Sequence, residues 1–389
     1  MKGPLVRMES CTTHRSNSKE SLRPLSYLTP KTDRNKLPES KVSPKHSDDD
    51  LFVVILAGGI GSRFWPASTP KRPKQLLALA TDSPLVMDTF RRGEGIVPAN
   101  QIRLLANAQL TEAFQALPTE LEDDVYWVEP QAKGTCPALV WAAWSIEREC
   151  PGGIMISLHS DHLIEPLEDF QRTISAAVDL ARNREILVCV GVEPDRIETG
   201  YGHIQPGEII ALESELEAFT VSAFHEKPNV ANAERYLREG YLWNTGMFIW
   251  KASTFLDEVR VNAPEVSACL PLLEESPEAF FDAVPKGPVD TMVLERSACV
   301  GVVQASFSWD DMGSWESLAR NRVPDKDQNV MVGNGVVREG SNNIIFSEDG
   351  QIVLFGVDNL VVVRTDEATL VMPRDRASDL KTLFKKLGG

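Results

Sequence analysis

The chain has 389 residues, a length that suits two domains of ordinary size or one large domain with an extension. It carries 40 Lys and Arg against 56 Asp and Glu, a formal charge of −16, and so lacks the basic excess expected of a general nucleic-acid binder. No apolar run approaches the roughly 18 residues that span a bilayer, and the six cysteines include no CxxC pair. We therefore expect a soluble, cytoplasmic protein with reduced thiols, without a nucleic-acid or membrane partner.

Residues 1–50 differ in composition from the rest of the chain. They contain ten Lys and Arg, seven Asp and Glu, eight Ser, five Pro and one aromatic residue, Tyr27. Such a segment cannot bury enough apolar surface to offset the entropy cost of ordering it. It also lacks the apolar core of a secretory signal. The composition predicts a disordered extension over residues 1–50.

An α/β pattern begins at Leu51. The run LFVVILA is typical of a strand buried on both faces of a parallel sheet. Similar runs near Ile102, Ile154 and Ile186 alternate with helix-like stretches such as ALVWAAWSIE and FQRTISAAVDLAR. This alternation predicts a Rossmann-like, open, mostly parallel sheet with helices on its faces, over residues 51–329.

The pattern changes from about Val330. Short strand-like runs, NVMVGNGVV, NNIIFS, QIVLFGV, NLVVVRT and ATLVMP, are separated by Gly, Asn and Asp. They predict a small β-rich domain over residues 330–389, ending in a helix from about Ser378 to Leu387.

A glycine-rich loop, GGIGSRFWPASTPKRPKQ, follows the first predicted strand. Glycines allow backbone N–H groups to approach phosphate oxygens closely. Phe64 occupies the third glycine position of a Rossmann fingerprint, and no GK[ST] follows as in a Walker loop. A plain strand-to-helix turn is the alternative. Arg63 and Lys74, with Pro70 and Pro73 making the connection between them rigid, favour a polyphosphate site. The nucleotide-binding candidates here are Gly58, Gly59, Gly61, Ser62, Arg63 and Lys74.

This loop resembles the signature of sugar-1-phosphate nucleotidylyltransferases, and its WPAS followed by PKQ is similar to the mannose-1-phosphate guanylyltransferase branch. The resemblance covers about residues 51–389. It implies a catalytic domain followed by a short left-handed β-helix. It also implies transfer of GMP from GTP to α-D-mannose 1-phosphate, giving GDP-mannose and pyrophosphate, with Mg²⁺ as cofactor.

Two further segments resemble the nucleotide and metal motifs of the family. VEPQAKGTCPA (128–138) resembles the guanine-contacting segment and implies roles for Glu129, Lys133 and Thr135, although Gly134 and Cys136 depart from the usual Asn and Ala. Read by itself, the segment predicts a helix start capped by Thr135.

Asp161, in MISLHSDHLI, follows a buried strand and is a candidate Mg²⁺ ligand. His159 and His162 beside it suggest zinc, but no further ligand lies at suitable spacing, and a lone His pair is more often structural. In FSWDDMGSW (307–315) the family pattern WxDxG implies that Asp311, rather than Asp310, completes the metal site.

The sugar-side motifs lie between these segments. ETGYGHI (198–204) contains Gly202, whose bare backbone allows close approach of a sugar ring. The 27-residue segment 224–250 resembles the longest family signature. It implies that Glu226 and Asn244 contact the sugar and that Lys227 holds its phosphate. Without the resemblance, Glu226 and Lys227 would be interpreted as a solvated ion pair.

Alternatives remain at this stage. The chain could use another sugar phosphate or nucleotide, or be a catalytically silent subunit that senses GDP-mannose. An NAD-dependent oxidoreductase is disfavoured by Phe64. Some relatives continue into an isomerase domain; this chain ends at Gly389, and we expect no isomerase activity. A homodimer is compatible with the sequence.

Overall fold

The structure is a computed structural model that describes residues 48–117 and 121–387, which lie in the compact unit Ser47–Gly389. The predicted disorder of residues 1–50 falls outside the described residues, apart from a short 3-10 turn at Asp48–Asp50.

The strands in chain order are β1 (Leu51–Ala57), β2 (Ile102–Asn107), β3 (Tyr126–Glu129), β4 (Ile154–His159), β5 (Leu163–Glu165), β6 (Leu187–Val192), β7 (Gly202–Ile210), β8 (Ala218–Glu226), β9 (Leu242–Lys251), β10 (Val300–Gln304), β11 (Ser308–Asp310), β12 (Val330–Val332), β13 (Gly335–Arg338), β14 (Ile344–Ser347), β15 (Ile352–Phe355), β16 (Leu360–Arg364) and β17 (Thr369–Pro373). The α-helices are α1 (Leu85–Glu94), α2 (Ala108–Gln115), α3 (Thr135–Glu149), α4 (Leu167–Asn183), α5 (Val230–Arg238), α6 (Ala252–Asn262), α7 (Pro264–Ser267), α8 (Pro277–Ala283), α9 (Trp315–Arg320) and α10 (Leu380–Lys386). None of these helices is both long and apolar enough to cross a membrane.

Nine strands form one sheet in the order β3-β2-β1-β4-β9-β6-β10-β8-β7. The first four are mutually parallel, whereas β9 runs antiparallel between β4 and β6. Leu56 of β1 is in register with Leu105 and with His159, so the carboxyl ends of these parallel strands meet at one edge. In open α/β sheets this edge binds ligands. The predicted Rossmann-like sheet is confirmed, and it is mixed because β9 and the β7–β8 pair oppose their neighbours.

Alternating residues of β1 face two apolar layers. Val53 and Ile55 pack with side chains of α1 and α4, whereas Val54 and Leu56 pack with side chains of α3 and α6. Every residue of β1 is buried. This burial on both faces explains why the strand is a continuous apolar run rather than an alternating one.

The strands from β12 onward form short β coils, which helix α10 follows. β12, β14 and β16 pair in parallel and β17 closes this sheet, while β13 pairs with β15. Gly335 is in register with Ile352, 17 residues later, and the same spacing separates β14 from β16. Inside the coils, the buried Asn343 amide donates to Asn329 Oδ1 at 2.9 Å. The predicted β-helix-like C-terminal architecture is confirmed.

A third apolar cluster joins these coils to the loop after β1. Phe64 is fully buried and packs edge-on against Trp315, with 4.9 Å between ring centroids. Trp315 in turn contacts Phe346 of β14 at 5.2 Å. Leu380 of α10 lies in the same cluster. The glycine loop therefore shares a core with the C-terminal coils.

Candidate functional site

The glycine loop leaves β1 at the ligand-binding edge of the sheet with two residues in the left-handed conformation. Gly59 and Gly61 have φ of 79° and 78°. A Cβ at Gly61 would lie 2.4 Å from the Cβ of Lys74, so a larger residue does not fit. The Gln75 amide donates to the carbonyls of Gly58 at 3.1 Å and Gly59 at 3.2 Å. These hydrogen bonds hold the loop in one conformation.

Lys74 lies between the two acidic segments predicted from the sequence. Its Nζ is 2.7 Å from Asp161 Oδ2. It also donates to the backbone carbonyls of Asp311 at 3.0 Å and Met312 at 3.1 Å. The Lys74 side chain is only 9% exposed. In this structure Asp161 therefore neutralises the Lys74 ammonium, and a phosphate must compete for it.

Asp310 and Asp311 are adjacent in sequence but have different surroundings. Asp310 is 3% exposed and accepts a hydrogen bond from Arg320 at 2.8 Å. Asp311 accepts from the Tyr201 hydroxyl at 2.9 Å. Burial raises the pKa of the Asp311 carboxyl, and the Lys74 ammonium opposes that shift. Asp310 is thus held in an ion pair with Arg320.

Asp311 instead faces a cavity of about 280 Å³ that the predicted phosphate-binding residues of the glycine loop share. The cavity is lined by the glycine loop, by both cations and by both carboxylates, together with a lysine from α10: Gly58, Gly59, Ile60, Gly61, Ser62, Arg63, Lys74, Gln75, Asp161, Asp311, Gly313 and Lys381. Arg63 is exposed here. No motif surrounds Lys381, and the sequence reasoning missed it.

His159, Asp161 and His162 bring potential metal-ligating atoms within 4.8 Å of one another. Burial lowers the pKa of both imidazoles, which keeps them neutral. His162 Nδ1 accepts from the Trp309 indole at 3.1 Å. That nitrogen is therefore engaged in a hydrogen bond, as expected for a structural histidine.

The sugar-side residues predicted from separate motifs lie together across β7, β8 and β9. Gly202 is in register with Glu226. A Cβ at Gly202 would lie 2.9 Å from Glu226 Oε2 and 3.2 Å from the Asn244 Cβ. Lys227 has a left-handed φ of 47° and pairs with the Glu226 carboxylate. The four residues therefore form one polar patch.

Tyr201 connects this sugar-side patch to the cavity, and the sequence reasoning missed it. Its backbone carbonyl accepts from the Lys227 N–H at 3.2 Å, while its hydroxyl donates to Asp311. The TGYG motif surrounding Tyr201 is the signal that could have identified it, because the tyrosine stands between the two glycines of that motif.

Asp290 is a second residue that the sequence reasoning missed. Its Oδ1 accepts from the Asn244 amide at 3.0 Å. Burial and the nearby Glu226 carboxylate raise the pKa of Asp290 to about 7. No motif identified it, because it reaches Asn244 only through tertiary packing.

Glu129 lies at the same sheet edge, at the carboxyl end of β3. β3 is two strands from β1, which places Glu129 roughly 10 Å from the glycine loop at the ordinary interstrand spacing. Burial raises the pKa of the Glu129 carboxyl to about 7. Glu129 is not among the residues that line the cavity.

Lys133 and Thr135 are held by the segment 284–289 rather than by the glycine loop. Lys133 Nζ donates to the Val284 carbonyl at 3.3 Å, and the Val289 N–H donates to Thr135 Oγ1 at 3.0 Å. The predicted capping role of Thr135 is wrong, because Gly134 occupies the N-cap position of α3 and Thr135 is the first helical residue.

The family models and the individual relatives that match this chain indicate the same family. The nucleotidyl transferase family model matches residues 52–328, and a MannoseP isomerase/GMP-like beta-helix domain matches residues 333–387. The chain is 34% identical to a mannose-1-phosphate guanylyltransferase of Escherichia coli K12 and 33% identical to the alginate biosynthesis protein AlgA of Pseudomonas syringae. These alignments cover 87% of this chain and 73% and 72% of the relatives.

A solved structure from Thermus thermophilus extends the likeness to the whole fold. It is described as a mannose-1-phosphate geranyltransferase and matches with a TM-score of 0.80 at 28% identity, covering 87% of this chain and 100% of that chain. Sequence and fold thus agree over the described catalytic and β-helix-like regions. The chain belongs to the nucleotidyl transferase family, in the group that contains the bacterial mannose-1-phosphate guanylyltransferases.

Proposed function

We propose that the protein transfers GMP from GTP to α-D-mannose 1-phosphate, producing GDP-mannose and pyrophosphate. The observation that carries this proposal is the cavity in which the glycine loop, Lys74, Asp161 and Asp311 meet, joined through Tyr201 to the sugar-side residues. One site thus contains groups suited to bind a polyphosphate and groups suited to bind a sugar. The similarity to mannose-1-phosphate guanylyltransferases supports GTP and mannose 1-phosphate as the substrates.

The reaction needs no side-chain nucleophile. A phosphate oxygen of mannose 1-phosphate attacks the α-phosphorus of GTP, a new P–O bond forms, and the bond between the α-phosphorus and the bridging oxygen breaks. The electron pair leaves with pyrophosphate. The enzyme must align two anions that repel each other and stabilise the charge on the leaving group. Arg63 and Lys74 serve the triphosphate, and Lys227 serves the sugar phosphate.

The donor set of the cavity fits Mg²⁺. Asp161 and Asp311 both line it, and the Lys74 ammonium, a cation, already lies against Asp161. Half-buried carboxylates of this kind are stabilised by a positive partner, and Mg²⁺ prefers oxygen ligands. Asp161 and Asp311 would hold the ion. Bound Mg²⁺ would screen the phosphate charges.

The remaining predicted residues orient the two substrates. We assign Glu226, Asn244 and Gly202 to the sugar, because they lie together and Asn244 is fixed by Asp290. We assign Glu129, Lys133 and Thr135 to the guanine base, since they lie along the same sheet edge as the glycine loop.

We further propose a catalytic domain over residues 51–329 and a β-helix domain over residues 330–389. Cys136, Cys150, Cys189 and Cys269 have free thiols, which suits a reducing cytoplasm. We propose that the protein assembles as a homodimer, the commonest symmetric oligomer, and light scattering would measure this.

Pyrophosphate release tests the activity directly. GTP, ATP, UTP and dTTP would each be combined with mannose 1-phosphate and glucose 1-phosphate in the presence of Mg²⁺. We expect the GTP and mannose 1-phosphate pair to give the dominant signal. A dominant signal from another pair would reassign the substrates. Silence in every combination, with GDP-mannose raising the melting temperature, would instead establish a sensing role.

Replacing Asp161 tests its place at the metal. We expect Asp161→Asn to lower turnover by about 10²-fold or more, because one charged oxygen ligand is lost while the fold is kept. Asp179→Asn, on the exposed face of α4, is the matched control and should behave as wild type. Unchanged Mg²⁺-dependent turnover in Asp161→Asn would remove Asp161 from the metal site.

A further inference from the structure

We infer that Lys381 of α10 is a third phosphate-binding cation, through which the β-helix-like region takes part directly in binding the triphosphate of GTP. This inference rests on the proposed function. Lys381 lines the same cavity as the glycine loop and Lys74. Its side chain is exposed, and no described residue is within ion-pair distance of its ammonium.

The packing of α10 explains how Lys381 reaches the cavity. Leu380 is 1% exposed and lies in the apolar cluster that contains Phe64. Lys381 follows Leu380 in sequence, just as Arg63 precedes Phe64. In each of these pairs the apolar residue is buried in the shared cluster and its charged neighbour lines the cavity. One hydrophobic contact therefore positions two cations from distant parts of the chain.

Lys381 makes the net charge of the cavity lining positive. The ionisable lining residues are three cations, Arg63, Lys74 and Lys381, and two carboxylates, Asp161 and Asp311. Without Lys381 the positive and negative charges would cancel, and Asp161 already engages Lys74. A triphosphate carries several negative charges, so an unpaired ammonium at the cavity gives it favourable electrostatic energy.

The test compares two lysines of the same helix. Lys381→Met removes the charge and keeps most of the apolar stem, while Lys386→Met does the same on the side of α10 that lines a separate groove with Leu370 and Met372. Isothermal titration would measure the dissociation constants of GTP and of inorganic pyrophosphate for both variants, with Mg²⁺ present. Thermal melting would confirm that both are folded.

We expect Lys381→Met to raise the dissociation constants of GTP and pyrophosphate about 5- to 10-fold, the loss typical of one charge-assisted contact. The KM for mannose 1-phosphate should stay within about two-fold, since the lost contact is to the other substrate. Lys381→Arg should recover the affinity, and Lys386→Met should match wild type. The effect should shrink as salt screens the charge.

Wild-type affinity in Lys381→Met, or an equal loss in Lys386→Met, would overturn the inference. Failure of the proposed function gives a different result, in which wild type shows no turnover with any substrate pair. Pyrophosphate binding would still report on Lys381 in that case. A wild-type protein that bound neither GTP nor pyrophosphate would overturn both.

Discussion

Tyr201 is the residue that joins the two halves of the site. Its hydroxyl holds Asp311 at 2.9 Å, and its carbonyl holds the backbone of Lys227 at 3.2 Å. Its ring also packs edge-on against Trp309, with 4.9 Å between centroids. A residue held by its hydroxyl, its ring and its backbone can orient Asp311 precisely, so we regard Tyr201 as a positioning residue.

Tyr201→Phe tests this role. We expect kcat to fall about 10-fold, the loss typical of one hydrogen bond to a charged group, with little change in KM for mannose 1-phosphate. The backbone bond to Lys227 survives the substitution. Steady-state kinetics would measure both constants, with Tyr126→Phe on β3 as the matched control. An unchanged kcat in Tyr201→Phe would show that Asp311 needs no such support.

Asp290 predicts a pH dependence of stability. Its pKa is raised to about 7 in the folded protein from 3.8, chiefly by burial. A carboxyl whose folded pKa is raised stabilises the protein fully below about pH 4, and this stabilisation is lost as pH rises through about 7.

Asp290→Asn removes this titration. Relative to wild type, we expect the free energy of unfolding of the variant to gain about 3 kcal/mol between pH 5 and pH 8, at about 1.4 kcal/mol for each pH unit between pH 5 and the folded pKa of about 7. Urea unfolding at both pH values would measure it. A constant difference between the two proteins across this range would contradict the raised pKa.

At the scale of single residues, the sequence motifs predicted the site residues whose role depends on a local sequence pattern. Gly61 needs a left-handed backbone beside Lys74, and that requirement is visible as a glycine loop. Tyr201 and Asp290 instead act through contacts with residues 110 and 46 positions away. No local spacing records such contacts, so only the TGYG motif around Tyr201 offered a signal, and no motif indicated Asp290.

At the scale of secondary-structure elements, helix α3 begins at a glycine instead of a residue whose side chain caps the helix N-terminus. Gly134 has φ of 90°, and its added Cβ would lie 2.6 Å from the carbonyl oxygen of Gly287. The Cys136 N–H donates to that same oxygen at 3.1 Å. The helix start is therefore fixed by backbone contact with the segment 284–289.

Gly134→Asn should destabilise this chain. We expect a loss of about 1–3 kcal/mol in the free energy of unfolding, from backbone strain and the close contact with Gly287. Gly152→Asn is the matched control, because Gly152 has a similar φ of 84° but open space around its Cβ position. Equal effects of the two substitutions would mean that the contact with Gly287 is unimportant.

The elements themselves were largely predictable because their apolar patterns are strong. The run 51–57 is β1, and the predicted final helix, from about Ser378 to Leu387, is α10 at Leu380–Lys386. The start of α3 was mistaken because Thr135 is an ordinary capping residue by type. In the structure its hydroxyl is engaged by the Val289 N–H, a contact between residues 154 positions apart.

At the scale of the whole molecule, the β-helix-like region and the glycine loop are stabilised together. Phe64, Trp315 and Phe346 form a continuous aromatic contact from the loop to β14. Sequence periodicity could separate the two architectures but could not reveal this shared core, because the cluster combines residues from three distant segments. A substitution that disrupts packing in the β-helix-like region should therefore also affect the glycine loop, and the reverse.

Phe346→Ala measures this coupling. We expect a loss of about 3–5 kcal/mol in the free energy of unfolding, as for other buried phenylalanines, together with weaker GTP binding because Phe64 loses its support. Phe355→Ala, at a position 68% exposed on β15, is the matched control and should change little. An unfolding transition confined to residues 330–389, with GTP affinity retained, would contradict the shared core.

The 17-residue spacing of the β13–β15 and β14–β16 pairs has a consequence for how this protein can change in length. Because α10 follows the last strand, the number of coils determines the position of Lys381. Adding or removing one whole coil would preserve the side-chain register but displace α10 relative to Phe64 by about one interstrand distance, roughly 4.8 Å. The length of the β-helix-like region is thereby tied to the geometry of the phosphate cavity, and we expect insertions to be tolerated in its turns rather than between its coils.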